Sequence, residues 1–249
     1  MPFTFAHPAY AVPLKVVNPR MFSVTGLALG SMAPDFEYFL AMEPHQTVGH
    51  SLTGFFVQAL PLCILFAYLF HGVAKEPLAL HLPSFLRIDQ RAYALIQPWS
   101  LTKPRAWIVF LASVLVGFLS HLFVDAFTHK SGFFAQRLPI LQSAYVLDMP
   151  LYKIMQYGLS VAGLAVLACA VGLALRRAAP GQVELPAATN RQKRTYWATA
   201  ASVAVLATAL KLLFASGGNL AGIMVVAPIS GLCAGVLLAS AVWRWKRRI

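Results

Sequence analysis

Charge is what this sequence has least of. Of 249 residues only 11% are Asp, Glu, Lys or Arg, while 59% are hydrophobic and the mean hydropathy is +0.67. Soluble domains carry about 25% charged residues, so a soluble chain of this make-up could not cover its own core. Acids are the scarcest group, eight against twenty Lys and Arg, for a formal charge of +12. The basic residues cluster beside apolar segments: Arg176 and Arg177; Arg191, Lys193 and Arg194; Arg244, Lys246, Arg247 and Arg248. That is how the positive-inside rule distributes charge, so no nucleic acid is expected as a partner. Cysteine is nearly absent. Cys63, Cys169 and Cys233 each sit within an apolar run without C-x-x-C spacing, which excludes a disulfide framework and a cysteine metal site. The opening "MPFTFAHPAYAVPLKV" lacks a basic region followed by a continuous apolar stretch, so no cleavable signal peptide is expected.

What is present is long apolar runs. A spanning helix needs roughly 20 mostly apolar residues, and five segments supply them, at about 52–73, 106–128, 154–175, 196–214 and 220–243. The fold class is all-α: a polytopic helical membrane protein of about five long transmembrane helices. An N-terminal short or re-entrant helical segment precedes them at Met21 to Asp35, a run too short to span, with Pro13 and Pro19 interrupting what comes before it. One helical membrane domain covers 1–249, with the polar motifs in 1–130 and hydrophobic helices in 131–249. The lipid bilayer is its expected partner.

Lys and Arg alternate between connections: five in 74–105, three in 129–153, five in 176–194, none in 215–219 and four after Trp243. This bias puts 74–105, 176–194 and the C-terminus in the cytoplasm, with Trp107, Trp197, Trp243 and Trp245 at the cytoplasmic ends as an aromatic belt. The same topology delivers His50 and the outer end of the second span to one face. It excludes His71 and His81 from that face and leaves His45 as a solvated loop residue.

The second span ends in "FLSHLFVDAFTHKSG", in which His121, Asp125 and His129 recur every four residues. On a helix that spacing drifts by only about 40°, so the three share a stripe. Ionisable groups in hydrocarbon cost at least a few kcal/mol and mark functional sites by default. Two readings of the stripe stand: metal ligation by imidazole nitrogen and carboxylate oxygen, or Asp125 simply accepting a hydrogen bond from His121. His7 in "FAHP", Asp35 and Glu37 in "GSMAPDFEYF" and His50 in "TVGHSLTG" fall where they can converge on the same point. Lys130 and Arg137 read as interfacial snorkelers that could also attract an anionic head group. Lys211 also reads as a snorkeler, and Gly217, Gly218 and Gly222 as small residues that let the last two helices approach.

The segments "MPFTFAHPAYAVPL", "GSMAPDFEYF", "GHSLTG" and "SHLFVDAFTH" resemble, in order and spacing, the hallmarks of the bacterial integral membrane family DUF4184 over roughly the first 130 residues. More distantly the pattern resembles the membrane-bound metal-dependent hydrolases typified by a damage-inducible inner-membrane protein. Those proteins are in turn similar to zinc-dependent phospholipase C and single-strand nucleases. The resemblance implies that His7, Asp35, His50, His121 and Asp125 are metal ligands. His129 and Glu37 match only the nearer family, and would serve as catalytic base or as orienters of the ligands. Where the hydrolases carry "PDIDH", this chain reads "PDFEY", so Glu37 replaces the second Asp and Tyr38 the final His. That leaves the count at one or two divalent ions, zinc first, with manganese or iron as alternatives.

Three functions follow as expectations. The leading one is a metal-dependent hydrolase of the inner membrane, acting at its outer, periplasmic face on a phosphoester such as a lipid-linked phosphate, with no residue assigned to substrate binding. The others are a non-catalytic scaffold or metal-binding protein, and an ion or metal transporter. Transport is disfavoured because the last three spans carry no comparable polar residue apart from Lys211.

Overall fold

A backbone surrounded by hydrocarbon must satisfy its own N–H and C=O groups, and helices do this within one segment. The computed structural model describes residues 3–179, 188–215 and 219–247. It is 78% helical, and among the described residues the strands are confined to a hairpin pairing Tyr145–Val146 with Met149–Pro150. Five helices are long and apolar enough to cross a membrane: α1 Leu52–His81, α2 Pro104–Thr128, α3 Leu151–Arg177, α4 Asn190–Leu213 and α5 Leu220–Lys246. The protein is a multi-pass helical membrane protein, as predicted. In α3 only Gln156 and Gly163 are buried, so most of its apolar surface faces outward, where lipid would cover it.

The first span extends to His81 rather than ending near 73. Pro61 and Pro77 lie within it, and each lacks an N–H for the helical ladder. Wide turns over Phe55–Ala59 and Phe70–Ala74 precede them and keep the helix continuous. The Val73 carbonyl, which faces the missing N–H of Pro77, accepts instead from Arg244 Nε at 2.9 Å.

The chain divides into two compact units. The first comprises Met1–Phe36, Val48–Ile64 and Ser100–Val171. Its N-terminal segment contains a nine-residue helix, Val24–Met32, capped by Ser23, whose Oγ accepts from the Gly26 N–H. At 1.5 Å per residue this helix is about 14 Å long, less than half a bilayer's hydrocarbon thickness. It lies against α2 through small residues on both partners. A Cβ on Gly30 would stand 2.2 Å from the Val114 oxygen, one on Gly117 2.5 Å from the Leu27 oxygen, and one on Gly26 2.7 Å from the Phe110 oxygen. Gly26 and Gly30 form a G-x-x-x-G pair, the spacing that lets helix backbones touch. The Ser23 N–H also donates to Ser113 Oγ at 2.8 Å, which fixes the register of the short helix on α2.

The second unit comprises Glu37–Thr47, Leu65–Trp99 and Gly172–Ile249. Here α4 and α5 pack by the same device, with Gly235 against the Ala200 backbone and Gly231 against Ala204. Gly217 and Gly218 lie outside the described residues. Gly222 faces the ring of Pro44 rather than a neighbouring helix, so the close approach belongs to Gly231 and Gly235 instead. The physical reason is periodicity: those two repeat every four residues along the buried face with Ala227 and Ala239, whereas Gly222 sits off that row. Lys211 is not a free snorkeler either. Its Nζ lies 3.1 Å from Glu43 Oε2. Lys193, counted from sequence only as a topogenic charge, is buried and donates to Asp89, the Ser84 hydroxyl and the Leu82 carbonyl.

Two outcomes are expected. Gly30→Ala should cost at least about 1–3 kcal/mol, the usual effect of overpacking, whereas Gly158→Ala, where nothing lies within 4 Å, should be neutral or stabilising by about 0.5–1 kcal/mol. Thermal unfolding in detergent reads both, and equal effects would refute the close-approach role of Gly30. For Asp89, burial alone would raise the carboxyl, but the bonds from Lys193, the Gln90 N–H and Ser84 outweigh it and hold the pKa below 3.8. A depressed folded pKa stabilises above the unfolded value and is lost as pH falls through the folded one. Asp89→Asn should therefore destabilise by about 1.5–3 kcal/mol at neutral pH. That difference from wild type should shrink as the pH drops below 3.8.

Candidate metal centre

All five residues predicted as metal ligands lie in the first unit, and the structure brings them together. His7 follows the turn Thr4–Ala6 and precedes the short helix Pro8–Ala11. That segment is clasped to α3: the Phe3 N–H donates to Ser160 Oγ at 2.9 Å, and Tyr10 Oη donates to the Leu159 carbonyl. Gly163 completes the seat, since a Cβ there would stand 2.9 Å from Ala6 Cβ. Asp35 closes the turn Ala33–Asp35 that follows Val24–Met32, and Thr4 Oγ1 donates to its Oδ2 at 2.6 Å. His50 immediately precedes Ser51, the residue that caps α1. His121 and Asp125 project one turn apart from α2.

The packing of Val24–Met32 against α2 carries the Ser31 carbonyl to 2.7 Å from His121 Nδ1. A carbonyl only accepts, so Nδ1 holds the hydrogen and Nε2 points into the cluster. That Nε2 lies 3.3 Å from His50 Nε2, 3.2 Å from Asp125 Oδ2 and 3.6 Å from Asp35 Oδ1. His50 Nε2 is 3.5 Å from each of the same two oxygens. Zinc bonds of about 2.0–2.2 Å to nitrogen and oxygen imply tetrahedral ligand-to-ligand edges of about 3.3–3.6 Å. These five separations fall close to that range, and two three-residue groups have atoms near enough together to hold an ion: Asp35, His50 and His121, and His7, His121 and Asp125.

Asp125 also faces a second direction. Its Oδ1 is 3.7 Å from His7 Nε2 and 3.6 Å from His129 Nδ1. The His7 ring stacks on His121 with centroids 3.8 Å apart. Both nitrogens of His7, Asp35 Oδ1 and Asp125 Oδ1 are buried with no hydrogen-bond partner, and such groups cost about 1–3 kcal/mol each unless something pairs with them. Burial, reinforced by His121, pushes the His7 pKa down to about 3, so His7 is neutral and able to ligate at pH 7. Burial also raises the Asp35 carboxyl, against the pull of His121 and the Thr4 hydroxyl. The gathered carboxylates and imidazole nitrogens call for positive charge, which a divalent cation would supply. The side chains of His7, Asp35 and His121 are fully buried, while His50 is 18% and His129 27% exposed. Access is from the His50 and His129 side.

The remaining candidates are placed as follows. The stripe stops one residue short of His129, because α2 ends at Thr128 and His129 is its extended C-cap. Its ring still turns back toward Asp125. Glu37 belongs to the second unit, where Thr47 Oγ1 donates to its Oε2 at 2.6 Å, and neither three-residue group able to hold a metal includes it. His45 is exposed. His71 stacks on Trp99, and His81 Nδ1 donates to the Pro77 carbonyl, so neither belongs to those groups. Lys130 is exposed, and Arg137 folds over the ring of Phe133. Sequence reasoning missed Thr4, Ser31 and the glycines that admit them. The G-x-x-x-G at Gly26 and Gly30 was the available signal.

In the zinc-loaded protein, ¹⁵N-histidine spectra should show His121 protonated on Nδ1 and shifted at Nε2, with His71 and His81 unmoved. A proton on Nε2 of His121 after loading would refute the proposed ligand atom.

No curated protein and no solved structure matches the chain. The model of one family, a domain of unknown function designated DUF4184, matches residues 1–241, and the chain belongs to that family.

Proposed function

We propose that this protein is a membrane-bound, metal-dependent hydrolase acting on a phosphoester at the outer face of the inner membrane. The observation that carries the reading is the convergence of His50 Nε2, Asp35 Oδ1 and Asp125 Oδ2 on His121 Nε2, at 3.2–3.6 Å, with Asp35, His50 and His121 close enough together to hold one divalent ion. A hydrogen-bonded scaffold is a poorer account, because it leaves Asp35 Oδ1, which this ion would meet, buried without a partner, as well as His7 and Asp125 Oδ1, where a second ion could sit. The donor set favours zinc, with manganese or iron admitted by the carboxylates. The distant resemblance to metal-dependent membrane hydrolases agrees with it.

When bound, the ion supplies Lewis acidity and a water of lowered pKa. The protein's own groups have distinct roles. Ser31 orients His121, and Thr4 orients Asp35, so these ligand atoms are set before any substrate arrives. Asp125 Oδ1 faces His7 and His129, which makes Asp125 the residue that links the inner ligands to the accessible edge. His129, partly exposed and beside that oxygen, is placed to accept a proton from an attacking water and return it to the leaving group. We assign the base role to it in preference to Glu37. Lys130, next in sequence and exposed, offers charge to an anionic head group. The buried side of the cluster excludes bulk water, and the substrate that can reach its open edge from the bilayer is a lipid-linked phosphoester. The Lys and Arg bias among the connections supports the outer placement.

Elemental mass spectrometry on detergent-purified protein tests the reading. One or two zinc or manganese ions per chain are expected, lost in His121→Ala and Asp125→Ala. His129→Ala should keep the metal and lower phosphoester turnover by about 10²–10⁴, the usual contribution of a general base. A wild type that stays metal-free after reconstitution would end the hydrolase reading.

A further inference from the structure

The second unit contains a cavity of about 610 Å³ between the N-terminal end of α4 and the C-terminal end of α5. Arg191, Lys246 and Arg247 all line it. Among the described residues, the acids on this side are already engaged: Glu76 pairs with Arg244 and Asp89 with Lys193. Among the described residues, none of the three cations lining the cavity makes an ion pair. Three positive charges facing one space repel one another, and an anion between them removes that repulsion.

The wall is prepared for such an anion in other ways. Gln192 spends its Oε1 on the Thr189 N–H in the capping box, at 2.7 Å, which leaves its amide N–H groups as the donors it can turn to the cavity. Arg247 is held with its guanidinium 4.5 Å over the Trp243 ring, an arrangement that stacks the plane and keeps its edges available. Leu238 and Val242, one turn apart on α5, continue the wall in apolar side chains. A soluble anion would find half of this lining useless, whereas a phospholipid matches both halves.

We propose that this cavity binds the phosphate head group of an acidic phospholipid, with its acyl chains along Leu238 and Val242. Topogenic charge alone requires cations at this end of the helices. It does not require them to share a cavity with an amide donor while their neighbours pair with acids. Basic pockets between membrane helices are a recognised mode of head-group recognition. The site is independent of the metal centre, whose residues lie in the first unit.

Native mass spectrometry of the detergent-solubilised full chain, titrated with cardiolipin, phosphatidylglycerol or phosphatidylcholine, tests it. Acidic lipid should be retained over phosphatidylcholine and should bind at least about tenfold more weakly to the variant R191Q/K246Q/R247Q. Leu238→Trp, which fills the cavity and leaves its charge intact, should weaken binding comparably. The control K103Q/R105Q, which removes two charges from the first unit, should bind as wild type does. Equal weakening in the control would mean bulk electrostatics and would overturn the proposal, as would full binding by Leu238→Trp. Inorganic phosphate should compete weakly; saturation by phosphate with no preference for lipid would likewise overturn it.

Discussion

The hydrogen bond from His121 Nδ1 to the Ser31 carbonyl, 2.7 Å long, is the contact on which the candidate site depends. It joins the C-terminal part of a spanning helix to the end of a helix too short to span. It exists because Gly26, Gly30 and Gly117 remove every side chain that would hold the two backbones apart. Once made, it sets both the tautomer and the direction of the imidazole. Asp35, three residues after Met32, arrives on the same side, and the clasp of Phe3 and Tyr10 on α3 brings in His7 and Thr4.

Hydrophobic burial discriminates poorly between packings within a bilayer, because lipid tails are as apolar as leucine. What discriminates here is shape and polarity. Each unit uses a G-x-x-x-G row against small residues: Gly26 and Gly30 on the α2 face of Ser113 and Gly117, and Gly231 and Gly235 on Ala200 and Ala204. Few polar groups are buried, and nearly all of these lie where a backbone carbonyl, a carboxylate or a cation can meet them. Lys193 with Asp89 and Tyr196 with Ser240 are the cases in the second unit.

Acids are scarce, and among the described residues those that form ion pairs fall into two groups. Glu76, Asp89 and Glu43 pair with Arg244, Lys193 and Lys211. Among the described residues, the ion pairs of Asp35 and Asp125 are with histidines alone. Carboxylates matched with Lys or Arg are neutralised already. Carboxylates matched with imidazoles leave room for a cation, and that difference separates a structural ion pair from a place that would suit a divalent ion.

Much of this was legible in the sequence. Twenty-residue apolar runs specify spanning helices by length and composition alone, and the four-residue spacing of His121 and Asp125 puts them on one helical face. The early His7, Asp35 and His50 stood out because ionisable residues are so rare. Other features depended on contacts between residues far apart in the chain. The continuation of the first span to His81 needed wide turns around its prolines and a donor from Arg244, 171 residues after Val73. The end of α2 before His129 is a matter of backbone conformation, which apolar periodicity does not report. The assignment of Glu37 to a different unit from Asp35, two residues away, is invisible in a motif that lists them together. Composition and local spacing determined which residues were available to the site. Which atoms meet, and at what distance, was decided by close helix packing, because a coordination shell is specified to tenths of an ångström and sequence spacing only to a turn of helix.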